Sequence, residues 1–183
     1  MTKTIISKIG AYIIGISLFL PVLLISLWAS PIDRPYQILF WYFGLATIAE
    51  HFTHIPRKEN ILFLPNIPGI LLTILIIYAI KETYKVTTAI DEKRMKGADG
   101  AKRLLMWAVL ALISPIIWII IHPLVLQLLF PLYFAIYGPK ILLFYGYQMY
   151  GIKTSVFIGF YITILGACIA IFGALIVYIT KED

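Results

Sequence analysis

Three histidines and one carboxylate are the residues of this chain best suited to hold a metal. His51 and His54 stand in the run Ala49-Glu50-His51-Phe52-Thr53-His54, and His122 closes a later apolar stretch. On a helix, Glu50 and His54 fall one turn apart, and His51 neighbours His54 at i,i+3. Imidazole nitrogens with a carboxylate oxygen suit Zn²⁺ or Cu²⁺. Glu50, His51, His54 and His122 are therefore the candidate ligands, although their spacing matches no established metal motif. Without a metal, the same four read as polar residues at a membrane surface. A haem held between two histidines would need them deeper and facing inward on different helices.

Other chemistry is sparse. Cys168 is the one cysteine, so neither an internal disulfide nor Cys-pair redox chemistry is open to the chain. Gly97-Ala98-Asp99-Gly100 precedes Ala101-Lys102-Arg103 but lacks the spacing and Ser/Thr of a phosphate-binding loop. It reads as a turn before a helix. Neither a G-x-S-x-G elbow nor an H-E-x-x-H pair is present. No catalytic residue and no organic cofactor is assigned.

The elements that must carry these residues follow from composition. Of 183 residues, 61% are hydrophobic and 13% charged, against about 25% charged in a soluble domain. The stretches 5–28, 61–80 and 154–180 contain a single charge, Lys8, and 104–121 contains none. A bilayer core of about 30 Å needs about 20 apolar residues to cross as a helix. We therefore expect an all-α, polytopic membrane four-helix bundle, a single transmembrane domain with spans at these four stretches. The first is retained rather than cleaved, since Leu27-Trp28 spoils a small-residue cleavage pattern.

Charge orients the bundle. With four crossings, the N-terminus, a basic inner loop over 81–103 and the C-terminus share one side with ten basic residues, leaving five on the other. The positive-inside rule puts both termini in the cytoplasm. The net charge of +6 thus reads as topology and lipid contact rather than nucleic-acid binding. Gly159, Gly166 and Gly173, seven residues apart, line one face of the last span. Such a stripe lets helix backbones approach closely, within the bundle or against a second subunit. No Asp, Glu, Arg or His lies deep in the four spans, which argues against an ion-driven transporter.

Two more apolar segments lie on the outer side. Residues 36–55 are expected as a short helix at the interface. Residues 124–150 carry Pro131, Gly138-Pro139-Lys140 and many tyrosines, and are expected as an extension of the third helix followed by an interfacial or re-entrant segment. A fifth crossing through 124–150 is the rival arrangement.

The layout resembles that of the claudin-type tetraspans. Trp41-Tyr42-Phe43-Gly44-Leu45 is similar to the start of their W-x-x-G-L-W signature. Asp99-Gly100-Ala101-Lys102-Arg103 resembles the acidic-then-A-K-x-R stretch before their third span. Trp118 and Phe157-Ile158-Gly159-Phe160 fall at comparable places. The chain departs at Ala46, where the second Trp belongs, in lacking the paired cysteines, and in outer segments expected to be helical where claudins build a small β-sheet. The resemblance implies a four-helix membrane bundle that assembles laterally. The expected function is a non-enzymatic membrane scaffold or accessory subunit packing against itself or other membrane proteins, because the apolar segments 36–55 and 124–150 must rest on lipid or a partner. The alternatives are a metal-bearing accessory subunit of a membrane redox enzyme, using the histidines, and a carrier or channel for a neutral or lipophilic substrate.

Overall fold

Pro21 divides the first apolar stretch. Its ring removes a backbone donor, clashes with the preceding turn and pushes Leu20 out of helical geometry. In the computed structural model, helix α1 covers Ile5–Ser17. It tightens into i→i−3 bonds at Leu18, Phe19 and Leu20, and the chain continues as strand β1, Leu23–Ser30. The expected single helix over 5–28 is corrected accordingly. The structure describes residues 4–30, 33–43, 45–52, 55–56, 60–63, 67–129, 148–149 and 152–180.

The expected interfacial helix over 36–55 is also corrected. Strand β2 covers Asp33–Phe40 and β3 covers Leu45–Phe52, followed by β4 (Ile55–Pro56) and β5 (Asn60–Phe63). Tyr36, Ile38 and Phe40 repeat at period two, a strand pattern of aromatic and β-branched residues. Pro35 and Gly44 break any helix here. Pro35 cannot donate to a ladder, and it pairs with Trp28 just beyond the Tyr36–Phe40 stretch that β3 covers.

Helix α2 runs Ile67–Asp91 and α3 runs Gly97–Leu129. The basic loop expected over 81–103 thus shrinks to residues 92–96, because Thr83, Val86, Thr87 and Ile90 continue a helical spacing whose first three members are buried. The turn reverses through Lys93, whose φ of 58° is left-handed, while Arg94 and Met95 both donate to the Ala89 carbonyl. Residues 124–129 of the expected outer segment finish α3. Residues 148–149 form β6 (Gln148–Met149), and 130–147 lie outside the described residues. Strand β7 (Ile152–Val156) takes the start of the expected last span, and α4 follows over Ile158–Ile179.

The strands form one antiparallel sheet in the order β4-β3-β2-β1-β7-β6, with β5 paired to β3. Residues of the expected first and last spans pair as β1 and β7, from Leu23↔Val156 to Leu27↔Ile152, and so join the strands of 36–55 to β6 in one sheet. Phe157 N–H donates to the Val22 carbonyl and Gly159 N–H to that of Pro21, both at 2.9 Å. The α1 and α4 helices therefore enter the sheet side by side. The all-α expectation applies to the bundle alone.

The four described helices bury many small and hydroxylated residues, with Ile14, Ile76, Leu104, Trp118 and Val177 among them, and leave many large ones facing outward. Inside lie Ser7, Ala11, Thr87, Ala111, Ser114, Thr163, Ala167 and Ala170. Outside lie Tyr12, Phe19, Leu71, Ile74, Met106, Ile120, Tyr161, Leu165 and Phe172. α3, over Gly97–Ile121, and α4 are each long and apolar enough to cross a membrane. Gly159, Gly166 and Gly173 all face α1 or its exit. A Cβ on Gly166 would lie 2.9 Å from the Ile14 nitrogen and one on Gly159 2.7 Å from the Leu20 carbonyl, while one on Gly173 would collide with Ser7. Gly10 returns the contact from α1 onto Gly166 and Ala170.

Candidate functional site

The turn between β2 and β3 is folded inward. Trp41, Tyr42 and Phe43 lie between two strands that cannot bury three consecutive aromatics on one face. Tyr42 is driven into the sheet-side end of the bundle, where it is fully buried. Its ring stands edge-to-face on Trp118 of α3, with centroids 5.9 Å apart and planes at 84°. The Trp41 indole N–H donates to the Phe19 carbonyl at 3.1 Å.

A line of hydroxyls continues from Tyr42. Its Oη lies 3.1 Å from Thr163 Oγ1 on α4, which lies 2.8 Å from Ser17 Oγ on α1. Ser17 Oγ donates to the Ile14 carbonyl at 2.6 Å. Each hydroxyl has one proton. The arrangement that satisfies all of them runs Tyr42 to Thr163, Thr163 to Ser17, and Ser17 to the backbone. The Gly159 carbonyl, 2.8 Å from Thr163 Oγ1, is a second acceptor for the threonine proton. Desolvation pushes the Tyr42 hydroxyl above its ordinary range, and the Thr163 bond opposes that only in part. Tyr42 therefore stays a donor. The line holds no group that ionises near neutral pH, and it ties the sheet to α1 and α4 as a latch.

The opposite end is held by charge. Asp91, at the end of α2, accepts from Lys8 Nζ at 2.7 Å and from Thr4 Oγ1 at 2.8 and 2.9 Å, both on or beside α1. Val177 near the end of α4 packs with Val86, Ala101 and Leu104. The start of α1, the 92–96 turn and the end of α4 thus share one pole, and the sheet forms the other.

The sequence-derived metal candidates are placed differently from expectation. Glu50 and His51 lie on strand β3, opposite Tyr36 and Pro56 respectively, rather than on the expected helix. His122 lies on α3. His54, and the side chains of Glu50, His51 and His122, lie outside what the structure describes. Among the described residues no group of three or more His, Cys, Asp or Glu is placed to hold a metal ion.

Sequence reasoning passed over Tyr42, Thr163 and Ser17 as a unit, since three hydroxyls 25 and 121 residues apart carry no spacing signal. Lys8 did carry one: a lone cation in an apolar stretch calls for a buried partner. No protein-family model matches this chain, and no curated protein sequence matches it.

Proposed function

We propose that this is a multi-pass integral membrane protein whose four helices cross the bilayer, with both termini and the 92–96 turn in the cytoplasm and the sheet outside. In this reading it is a non-enzymatic scaffold or accessory subunit that assembles laterally with copies of itself or with other membrane proteins. The observation that carries the reading is the large apolar surface left outside the bundle. Alanine, glycine, serine and threonine make many of the closest helix contacts, beside a few larger buried residues such as Ile14, Ile76, Leu104 and Trp118, while more than a dozen large Ile, Leu, Phe, Met and Tyr side chains face outward. In water that arrangement wastes the hydrophobic effect, whereas in lipid close backbone approach drives helix association.

Orientation draws on the two poles. The Lys8–Asp91 pair and the Val177 packing bring the start of α1 and the end of α4 to the basic 92–96 turn, which favours an even number of crossings over a fifth span. The cations Lys81, Lys85, Lys93, Arg94, Lys96, Lys102 and Arg103 gather there, as the positive-inside rule requires of a cytoplasmic face. α1 is short, and the turn at Leu18–Leu20 with its outward Phe19 extends it toward the sheet, a mismatch that bilayers absorb at modest cost.

The order of elements supports the resemblance to claudin-type tetraspans drawn from Trp41–Leu45 and Asp99–Arg103. A sheet shared by both outer segments removes one departure from that pattern. A likeness of architecture speaks to the scaffold and not to an activity. Lateral assembly is supported by the apolar outer faces of the helices. Mild cross-linking in native membranes, followed by extraction in gentle detergent, tests the assembly. The expected product is a discrete species larger than one chain. A single chain at every cross-linker dose would overturn it.

A further inference from the structure

A cleft of about 300 Å³ opens at the pole of the 92–96 turn, between the last turns of α2, Arg94 and Met95 of the turn, and Arg103 on α3. That is the lower end of the size range of small-molecule sites. Lys85, Arg94 and Arg103 line it with one carboxylate, Glu82. Glu82 only partly offsets them. It reaches exposed Lys85 at 3.8 Å, while Arg94 is held by Glu92, which does not line the cleft. Among the described residues no carboxylate pairs with Arg103. Val86, Ala89 and Met95 supply an apolar wall beside the cations.

The depth of the cleft gives its ligand class. On α2 the uncharged run 67–80 ends at Lys81, and on α3 the uncharged stretch 104–121 begins after Arg103. The cleft lies where charge resumes on both helices, which in a membrane is the level of the headgroup phosphates. A soluble anion would use the cations alone, whereas a phospholipid also uses the apolar wall. We propose that the cleft between α2, the 92–96 turn and Arg103 binds the phosphate headgroup of an anionic phospholipid of the cytoplasmic leaflet. This rests on the membrane placement above.

The test uses the full chain reconstituted in phosphatidylcholine bilayer discs doped with phosphatidylglycerol, then released into detergent for native mass spectrometry. The wild type should retain phosphatidylglycerol in preference to phosphatidylcholine. The Lys85→Gln/Arg103→Gln variant should lower that retention about tenfold. Lys93→Gln/Lys96→Gln, which removes equal charge from the same pole outside the cleft, should leave it unchanged. Equal loss in both double variants, or no preference in the wild type, overturns the proposal. Displacement of the lipid by inorganic phosphate also overturns it, by assigning the cleft to a soluble anion. Alkaline carbonate washing of the source membranes separates the two layers of inference. A chain that washes off negates the membrane placement, while one that stays but shows no lipid preference negates the lipid site alone.

Discussion

Adding one methyl group at Gly10 should loosen the whole α1–α4 contact. Its Cβ would lie 2.5 Å from the Ala170 nitrogen and 2.6 Å from the Gly166 carbonyl, both backbone atoms that cannot rotate away. Restoring ordinary contact requires α1 to withdraw by roughly 1 Å, and a gap of that size forfeits about a quarter to a half of each dispersion contact it opens. Overpacking of this kind costs about 1–3 kcal/mol. The same withdrawal would stretch the 2.8 Å Thr163–Ser17 bond past useful range, adding about 0.6–1 kcal/mol. Alanine returns about 0.5–1 kcal/mol through its better helix propensity. Gly10→Ala should therefore lose about 1–3 kcal/mol. Gly15→Ala on the same helix is the control. Its nearest neighbour would be Ile80 Cδ1 at 3.8 Å, so only the propensity gain remains and the variant should be slightly more stable than wild type. Reversible unfolding in mixed micelles with increasing dodecyl sulfate reads both. Opposite signs are expected. Equal stability of the two variants would refute the close-approach reasoning.

Two further perturbations address the poles. Thr163→Val removes the acceptor for the buried Tyr42 hydroxyl and should cost about 1–3 kcal/mol in the same unfolding assay, whereas Tyr42→Phe leaves Thr163 and Ser17 partnered and should cost less. If Tyr42→Phe is the more damaging, the donor direction along the hydroxyls is wrong. A double-mutant cycle of Lys8→Gln and Asp91→Asn should give a coupling of about 1 kcal/mol that weakens with added salt, since 27% and 19% of these side chains stay exposed. Zero coupling would mean that α1 and α2 do not meet at this pair.

The helices were legible because apolar length survives any context. The runs 104–121 and most of 154–180 became helix. Boundaries were lost where a local rule was outweighed. Pro21 stands inside the expected 5–28 span, but with β1 ready to pair with β2 and β7 it ends the helix. The segment 36–55 was read as an interfacial helix on its apolar content, while the Tyr36-Ile38-Phe40 alternation and Pro35 pointed to a strand. Charge on 81–91 suggested a loop, yet buried Thr83, Val86 and Thr87 kept it helical. The hydroxyl latch was illegible because its members come from α1, a strand turn and α4, and only the fold brings them together. The Trp41–Leu45 run drew notice as a signature. Its second residue, Tyr42, is the anchor of the sheet.

The central claim is that the poles face opposite sides of a membrane, and site-directed labelling tests it most directly. In a Cys168→Ala background, Lys96→Cys places a thiol in the 92–96 turn and Asn60→Cys places one on β5, at the sheet pole. With intact cells and a membrane-impermeant maleimide, labelling of the Asn60→Cys protein should be strong and that of Lys96→Cys should appear only after permeabilisation. Labelling at Lys96 but not Asn60 in intact cells would invert the topology, and equal labelling of both without permeabilisation would contradict the membrane placement itself.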